Sequence, residues 1–216
     1  MTADRNVSSN RVIIAREGEV NLENQFYIGY SNDCGHCVSV IDGGKLNVGS
    51  HLRIGGADNT MFVSNGVVTV KDGTFHIGSS WDKGLNTRSK LEIAGAKTQI
   101  QTKDFQLWNN STLQFNVPED GFENVPLNVG GKVTHRSGCP IVIDAEAFQS
   151  KLDQATDVVL MTWTNSESAI NENVINAANA ELAPKKMKLV YDTDNKRLVL
   201  HVRSTKVRRG LILILR

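Results

Sequence analysis

No apolar run in this 216-residue chain approaches the roughly 20 residues needed to cross a bilayer as a helix. Met1 to Asn10 are polar and lack the apolar stretch of a signal peptide. That leaves a cytoplasmic protein, or an exported one whose signal lies outside this sequence. Charge of one sign is also missing. The 24 Lys and Arg oppose 23 Asp and Glu, for a net charge of +1 and a pI near 7.7. Nothing in that balance recruits nucleic acid or an anionic membrane. Hydrophobic residues make up 40% and charged residues 22%, a globular rather than a disordered composition.

What the chain does have is repetition. Phe26-Tyr27-Ile28-Gly29, Leu52-Arg53-Ile54-Gly55 and Phe75-His76-Ile77-Gly78 are one phrase, and Phe105-Gln106-Leu107-Trp108 is a degenerate fourth copy. An apolar-polar-apolar triplet buries one face of a short strand, and the glycine after it permits a corner that a β-carbon would hinder. Each copy has the same upstream neighbours. One unit reads Val38-Ser39-Val40, Leu46-Asn47-Val48, Leu52-Arg53-Ile54, with turns at Asp42-Gly43-Gly44 and Gly49-Ser50. The next reads Met61-Phe62-Val63, Val68-Thr69-Val70, a turn at Lys71-Asp72-Gly73, then Phe75-His76-Ile77. The third reads Leu91-Glu92-Ile93, Thr98-Gln99-Ile100, a turn at Thr102-Lys103-Asp104, then Phe105-Gln106-Leu107. An earlier unit fits Val12-Ile13-Ile14, Val20-Asn21-Leu22 and Phe26-Tyr27-Ile28. A later one starts at Leu113-Gln114-Phe115 and is expected to continue through Leu127-Asn128-Val129 to Ile141-Val142-Ile143.

Repetition at this period points to stacked coils of a solenoid. Three strands and three turns per coil predict an all-β, three-sided parallel β-helix. Consecutive hairpins are the competing topology, because Asn65-Gly66 between alternating runs is also a hairpin signal. A meander has no reason to close every three-strand unit with the same phrase.

Glycine places the boundary: 17 of the 18 fall between Gly18 and Gly138. The expected division is a β-helix of about five coils over residues 1–144 and a small α+β capping segment over 145–216. In the second part Ala145 to Leu152 reads as a helical turn and Val158 to Thr162 as a strand. Ile170, Val174, Ala178 and Leu182 mark one helix face that Pro184 stops. Met187 to Tyr191 and Arg197 to Val202 read as a hairpin, with Leu211 to Leu215 as a final strand. Open coil ends need a cap; an independent binding domain is the alternative for this segment.

The chain resembles the distal part of a bacterial autotransporter-like passenger in the pectin-lyase-like superfamily of right-handed β-helices. The resemblance rests on GGKLNVGSHLRIGG, NGVVTVKDGTFHIGSS, Asn110-Ser111-Thr112-Leu113-Gln114-Phe115 and the closing LVYDTDNKRLVLHV. It implies a right-handed helix and an exported, cell-surface protein without enzymatic activity, working as an adhesin or surface-layer component. The superfamily also holds polysaccharide lyases and hydrolases, which makes a carbohydrate-active or glycan-binding protein the alternative. A polygalacturonase-like site would need paired aspartates, a Gly-His-Gly and an Arg-Ile-Lys. Here Gly35-His36 is followed by Cys37, Arg53-Ile54 by Gly55, and no Asp-Asp pair occurs. Asp42 and Asp72 occupy different turns, and the outward column Tyr27, Arg53, His76, Gln106 has no carboxylate. The reading is therefore no enzyme, and that column is a solvated sheet face.

Cys34-Gly35-His36-Cys37 lies between strands, without the helix N-terminus that lowers a thioredoxin-like thiol pKa. A structural zinc takes four ligands, and Cys34, His36 and Cys37 leave one missing. The loop holds either two free thiols or one tight disulfide; no metal and no cofactor are expected. The stronger clue is where length varies. Only the connections from one coil to the next differ greatly: Gly29 to Cys37, Gly55 to Thr60, Gly78 to Lys90 and Trp108 to Thr112. Solenoid insertions on one face mark a binding face. Tyr30, Asp33, Asp58, Asn59, Trp81, Asp82, Arg88, Trp108 and Asn110 are the resulting candidates, aromatic planes beside amides and charges that suit a glycan or another surface protein. The competing reading folds Trp81 and Trp108 back over the coil edge as local cores.

Overall fold

The computed structural model describes residues 10–29, 35–56, 58–78, 88–108 and 110–205. The chain coils. The first turn carries β1 (Arg11–Ile14), β2 (Glu19–Leu22) and β3 (Phe26–Ile28), the second β4 (Cys37–Ile41), β5 (Lys45–Val48) and β6 (Leu52–Ile54). The third holds β7 (Thr60–Ser64) and a long β8 (Val67–Ile77), the fourth β9 (Lys90–Ala94) and β10 (Gln99–Leu107). The fifth holds β11 (Thr112–Asn116), β12 (Leu127–Val129) and β13 (Val133–His135). Then come β14 (Ile141–Asp144), α1 (Glu146–Lys151), β15 (Thr156–Trp163), α2 (Glu172–Leu182), β16 (Met187–Asp192) and β17 (Arg197–Val202). Every coil pairs with the next in parallel, so β1, β4, β7, β9, β11 and β14 form one face. The other two faces are joined into a single sheet because β8 and β10 run unbroken round the corner between them.

Alternation along short strands sends every second side chain inward, and parallel register then stacks equivalents. On the first face Val38, Met61, Leu91, Leu113 and Ile141 form one interior column, and Val40, Val63, Ile93, Phe115 and Ile143 another. On the third face Phe26, Leu52, Phe75, Phe105 and Val133 stack, with Phe75 and Phe105 edge to face at 5.8 Å. A side chain buried this way contributes about 1.5–3 kcal/mol.

Three expected details differ. Lys71-Asp72-Gly73 is not a strand-ending turn but a bend inside β8, where a β-carbon on Gly73 would collide with the Ser50 carbonyl. In β10, Thr102-Lys103-Asp104 is likewise inside the strand, and the outward partner of Thr69 is Gln101 rather than Gln99. Thr98 explains the shift. It is fully buried at the preceding corner, where its hydroxyl donates to Ala94 O and accepts from Asn65 N–H. The strand proper therefore starts later, with Ile100 and Thr102 inward. Finally, the fifth coil closes with β13; Ile141–Asp144 is the first-face strand that follows it. β13 hides in sequence because His135 stands where the other copies of the phrase carry Ile or Leu.

Past residue 144 the second face continues: β15 adds to β12 in parallel, and the β16–β17 hairpin then extends it antiparallel. Val174, Ile175, Ala178 and Leu182 bury one side of α2, which packs on β14 and β16. Pro184 lies in the 3-10 turn Ala183–Lys185 that ends the helix. The edge strand β16 is blunted by a side chain. Asn179 donates to Leu189 O at 2.9 Å and accepts Leu189 N–H at 2.6 Å, taking the bonds a neighbouring strand would take. The segment Leu211 to Leu215 lies outside the described residues.

Candidate functional site

The connections between coils are held in line at both roots. On the side where they leave the third face, Gly55 N–H donates to Ile28 O, Gly78 N–H to Ile54 O, Trp108 N–H to Ile77 O and Arg136 N–H to Leu107 O. On the side where they rejoin the first face, Cys37, Thr60, Lys90 and Thr112 N–H groups donate to Asn10, His36, Asn59 and Ser89 carbonyls. The residue just before each of β4, β7, β9 and β11 is polar and buried: His36, Asn59, Ser89 and Ser111, with Cys139 at the equivalent place in the next coil. Several of these side chains bond the adjoining connection. Asn59 accepts His36 N–H at 2.8 Å and donates to Gly55 O, while Ser89 donates to Gly56 O at 3.0 Å. Each bond satisfies a backbone group that the corner leaves without a ladder partner.

That geometry sorts the candidates. Asn59 is completely buried and its amide is spent inside the protein, so it builds the corner and does not face a ligand. A β-carbon on Gly29, which has φ 75°, would run into the Asn59 amide. Asp58 and Arg88 are exposed and pair with each other across two coils at 2.6 Å. Asn110 is exposed, with a left-handed backbone at φ 55°. Trp108 is half-buried against the edge, its indole N–H donating to Gln106 Oε1 at 2.8 Å. Tyr30, Asp33, Trp81 and Asp82 lie outside the described residues, as does Cys34.

Two residues that sequence reading missed flank the third face, Arg136 on the loop edge and His51 at the opposite corner. Arg136 places its guanidinium 4.3 Å from the Trp108 ring centroid, a cation–π contact. Its signal was present in the chain: Val133-Thr134-His135-Arg136 is the phrase again, with Arg136 one coil below Trp108. His51 lies at the corner before the third face, its ring 5.8 Å from that of His76 and its Nδ1 accepting Thr74 N–H at 3.1 Å. The column Tyr27, Arg53, His76, Gln106, Thr134 runs outward along that face in continuous register. Burial, then the neighbouring His51 and Arg53, push His76 down to a pKa of about 4, so it is neutral at pH 7. The charge on the face at neutral pH therefore comes from Arg53, with Arg136 beyond it on the edge.

The described end of the Cys-x-x-Cys segment, His36 and Cys37, is drawn into packing. His36 is buried and its Nδ1 accepts Asn10 N–H at 3.2 Å, which occupies one of its two possible ligand atoms. Cys37 and Cys139 are free thiols, and burial raises the Cys139 pKa, away from nucleophilic reactivity. Among the described residues no three His, Cys, Asp or Glu side chains converge on a metal-sized space, and no helix is long and apolar enough to cross a membrane. An open groove of about 460 Å³ on the second face is lined by Asn21, Asn47, Thr69, Lys71 and Asp72. Its amides bond one another, with Asn47 donating to Asn21 Oδ1 at 2.8 Å. Comparisons with family models, curated proteins and solved structures find no match for the chain.

Proposed function

We propose that this chain is a non-catalytic structural or adhesive module of an exported bacterial surface protein, autotransporter-like in kind. Its stack is the stiff spacer, and the loop edge with the adjoining third face is what it presents to a glycan or to another surface protein. The observation that carries this reading is the alignment of the hydrogen-bonded roots of successive coil-to-coil connections, beside a strip that offers an indole, guanidinium groups and amides. Such groups suit sugar rings or the loops of a partner. The outward column of the third face has no carboxylate to act as a general acid or base, which favours binding over hydrolysis.

The test is a screen of the full chain against immobilised glycans, pectins and purified surface proteins, with product analysis of the soluble fraction. Binding is expected without depolymerised products. Trp81→Ala combined with Trp108→Ala, and separately Arg136→Ala, should weaken binding at least tenfold and leave the thermal transition in place. Contacts that map to the Asn47–Thr69–Gln101 wall or to the cap would overturn the loop-edge reading. Released oligosaccharides would instead favour a carbohydrate-active enzyme.

A further inference from the structure

The interior column Ile28, Ile54, Ile77, Leu107 is apolar until its last member, which is His135. The ring is buried, and its two bonds fix its state. Nε2 lies 2.8 Å from Cys139 O, a group that can only accept, while Nδ1 receives Asn171 N–H at 3.2 Å, a group that can only donate. His135 is therefore neutral with its proton on Nε2. Asn171 is the N-cap of α2, and its own side chain accepts Asn173 N–H. The residues before it also lean on β13: Ala169 N–H donates to Val133 O, and His135 N–H donates to Ala169 O.

α2 is anchored differently at its two ends. Beyond its C-terminus, the buried Gln149 donates to Lys185 O at 2.7 Å and to Arg203 O at 2.8 Å, and Lys185 pairs with Glu146 at 2.6 Å. At its N-terminus the last coil holds it through β13 and the His135 ring. Between helix and coil the packing is incomplete: a cavity of about 320 Å³ is lined by Ile141, Ile143, Ala178, Glu181, Leu182 and Lys185.

We propose that His135 is an acid-sensitive latch on the C-terminal cap: a proton on Nδ1 sets donor against donor at Asn171, frees the N-terminus of α2 and bares the apolar end of the stack at Ile141 and Ile143. Few charges stand near enough to oppose or assist this. β10 presents Leu107 to the ring's strand, and the following corner presents the buried Cys139 thiol. Arg136 is exposed and stacked on Trp108, Glu167 of the preceding segment is exposed and paired with Lys132, and Glu172 of α2 is exposed. Burial lowers the His135 pKa below its usual 6.5. The open state therefore takes up the proton first, and closure weakens as pH falls below 6.5. The Glu146–Lys185 anchor stays ionised through that range, since its lysine holds the Glu146 carboxyl pKa below the usual value.

Hydrogen exchange of the full chain, expressed as protection factors at pH 7.5 and 5.0, reads the latch directly. Amides of Asn173–Leu182 should lose at least tenfold more protection at pH 5.0 than those of β11, which reports any acid loss common to the whole stack, the one due to His76 included. His135→Asn keeps an acceptor at the Nδ1 position but cannot titrate, and its α2 protection relative to β11 should be the same at both pH values. Equal α2 protection relative to β11 in the parent at the two pH values, or an acid loss in His135→Asn as large as the parent's, would overturn the proposal. Should that variant not fold, NMR titration of the parent decides. The Asn171 amide must shift with the same midpoint as the His135 ring, below 6.5, and an amide that ignores the ring's titration sinks the latch.

Discussion

The two ends of the stack start from the same kind of coil and finish differently. At the C-terminal end, the interior residues Ile141 and Ile143 are covered by α2 and are 4% and 9% exposed. At the other end Val12 points along the same interior column as Val38 and Met61, yet it is 40% exposed while Val38 is 4% and Met61 is 0% exposed. Among the described residues, the exposed large hydrophobics are Val12, Ile13 and Tyr27, all in the first coil. Identical side chains in identical strand positions are thus worth different amounts. In a solenoid the next coil supplies the burial, and a residue's own strand supplies only the direction.

The harshest way to break this comparison is to charge the middle of the stack. Phe75→Asp places an unpaired carboxylate in a fully buried column and should abolish the folded state, a loss of more than about 4 kcal/mol. A cooperative melt near that of the parent, followed by circular dichroism, would refute the register drawn here. A sharper comparison uses one residue type at two depths. Val38→Ala should cost about 2 kcal/mol by lost burial and cavity formation, whereas Val12→Ala should cost less than about 1 kcal/mol. Equal shifts in urea unfolding would mean that the first coil is as well covered as the second.

The capped end can be probed at its edge. Asn179→Ala leaves the Leu189 N–H and C=O without their partner and should cost about 1–3 kcal/mol. It should also promote self-association through β16, visible by light scattering. A variant as stable as the parent and with unchanged light scattering would show that the edge needs no cover. The last probe is His76, whose effect vanishes at neutral pH and shows only in acid. Its folded pKa of about 4 lies below the unfolded 6.5, so stability is complete above pH 6.5, declines as pH falls to about 4, and is level below. His76→Gln should remove a slope of at most one proton from that window. Asp192, held down to about 2 by Asn195 and then Arg197, titrates below it. An unchanged slope in His76→Gln would show that burial leaves the ring unperturbed.

The architecture was legible because it is written redundantly. The apolar-polar-apolar triplets, repeated with their turns, fix which side chains face inward, and stacking follows once equivalent triplets are aligned. Alternation does not fix sliding by two residues, since that preserves every inward position. Hence Gln99 read as the neighbour of Thr69, a place the fold gives to Gln101. The loop edge was legible as a place and less so as a set of residues. Asp58, Arg88, Asn110 and Trp108 do lie along it. Asn59 reads as a surface amide by type, yet the corner consumes it.

By itself, then, the sequence determined the coil, its inward columns and the helix face that closes one end, because periodicity and apolar pattern are local properties of a strand or helix. Only the tertiary structure decided the fates of the polar residues. Whether Asn59 is buried, whether Arg136 stacks on Trp108, and what the buried His135 ring bonds depend on groups contributed by a neighbouring coil or by the start of α2. Their partners lie tens of residues away, as with the 36 that separate His135 from Asn171. A polar side chain is buried only where such a partner completes its hydrogen bonds, and that condition exists only once the coils are stacked.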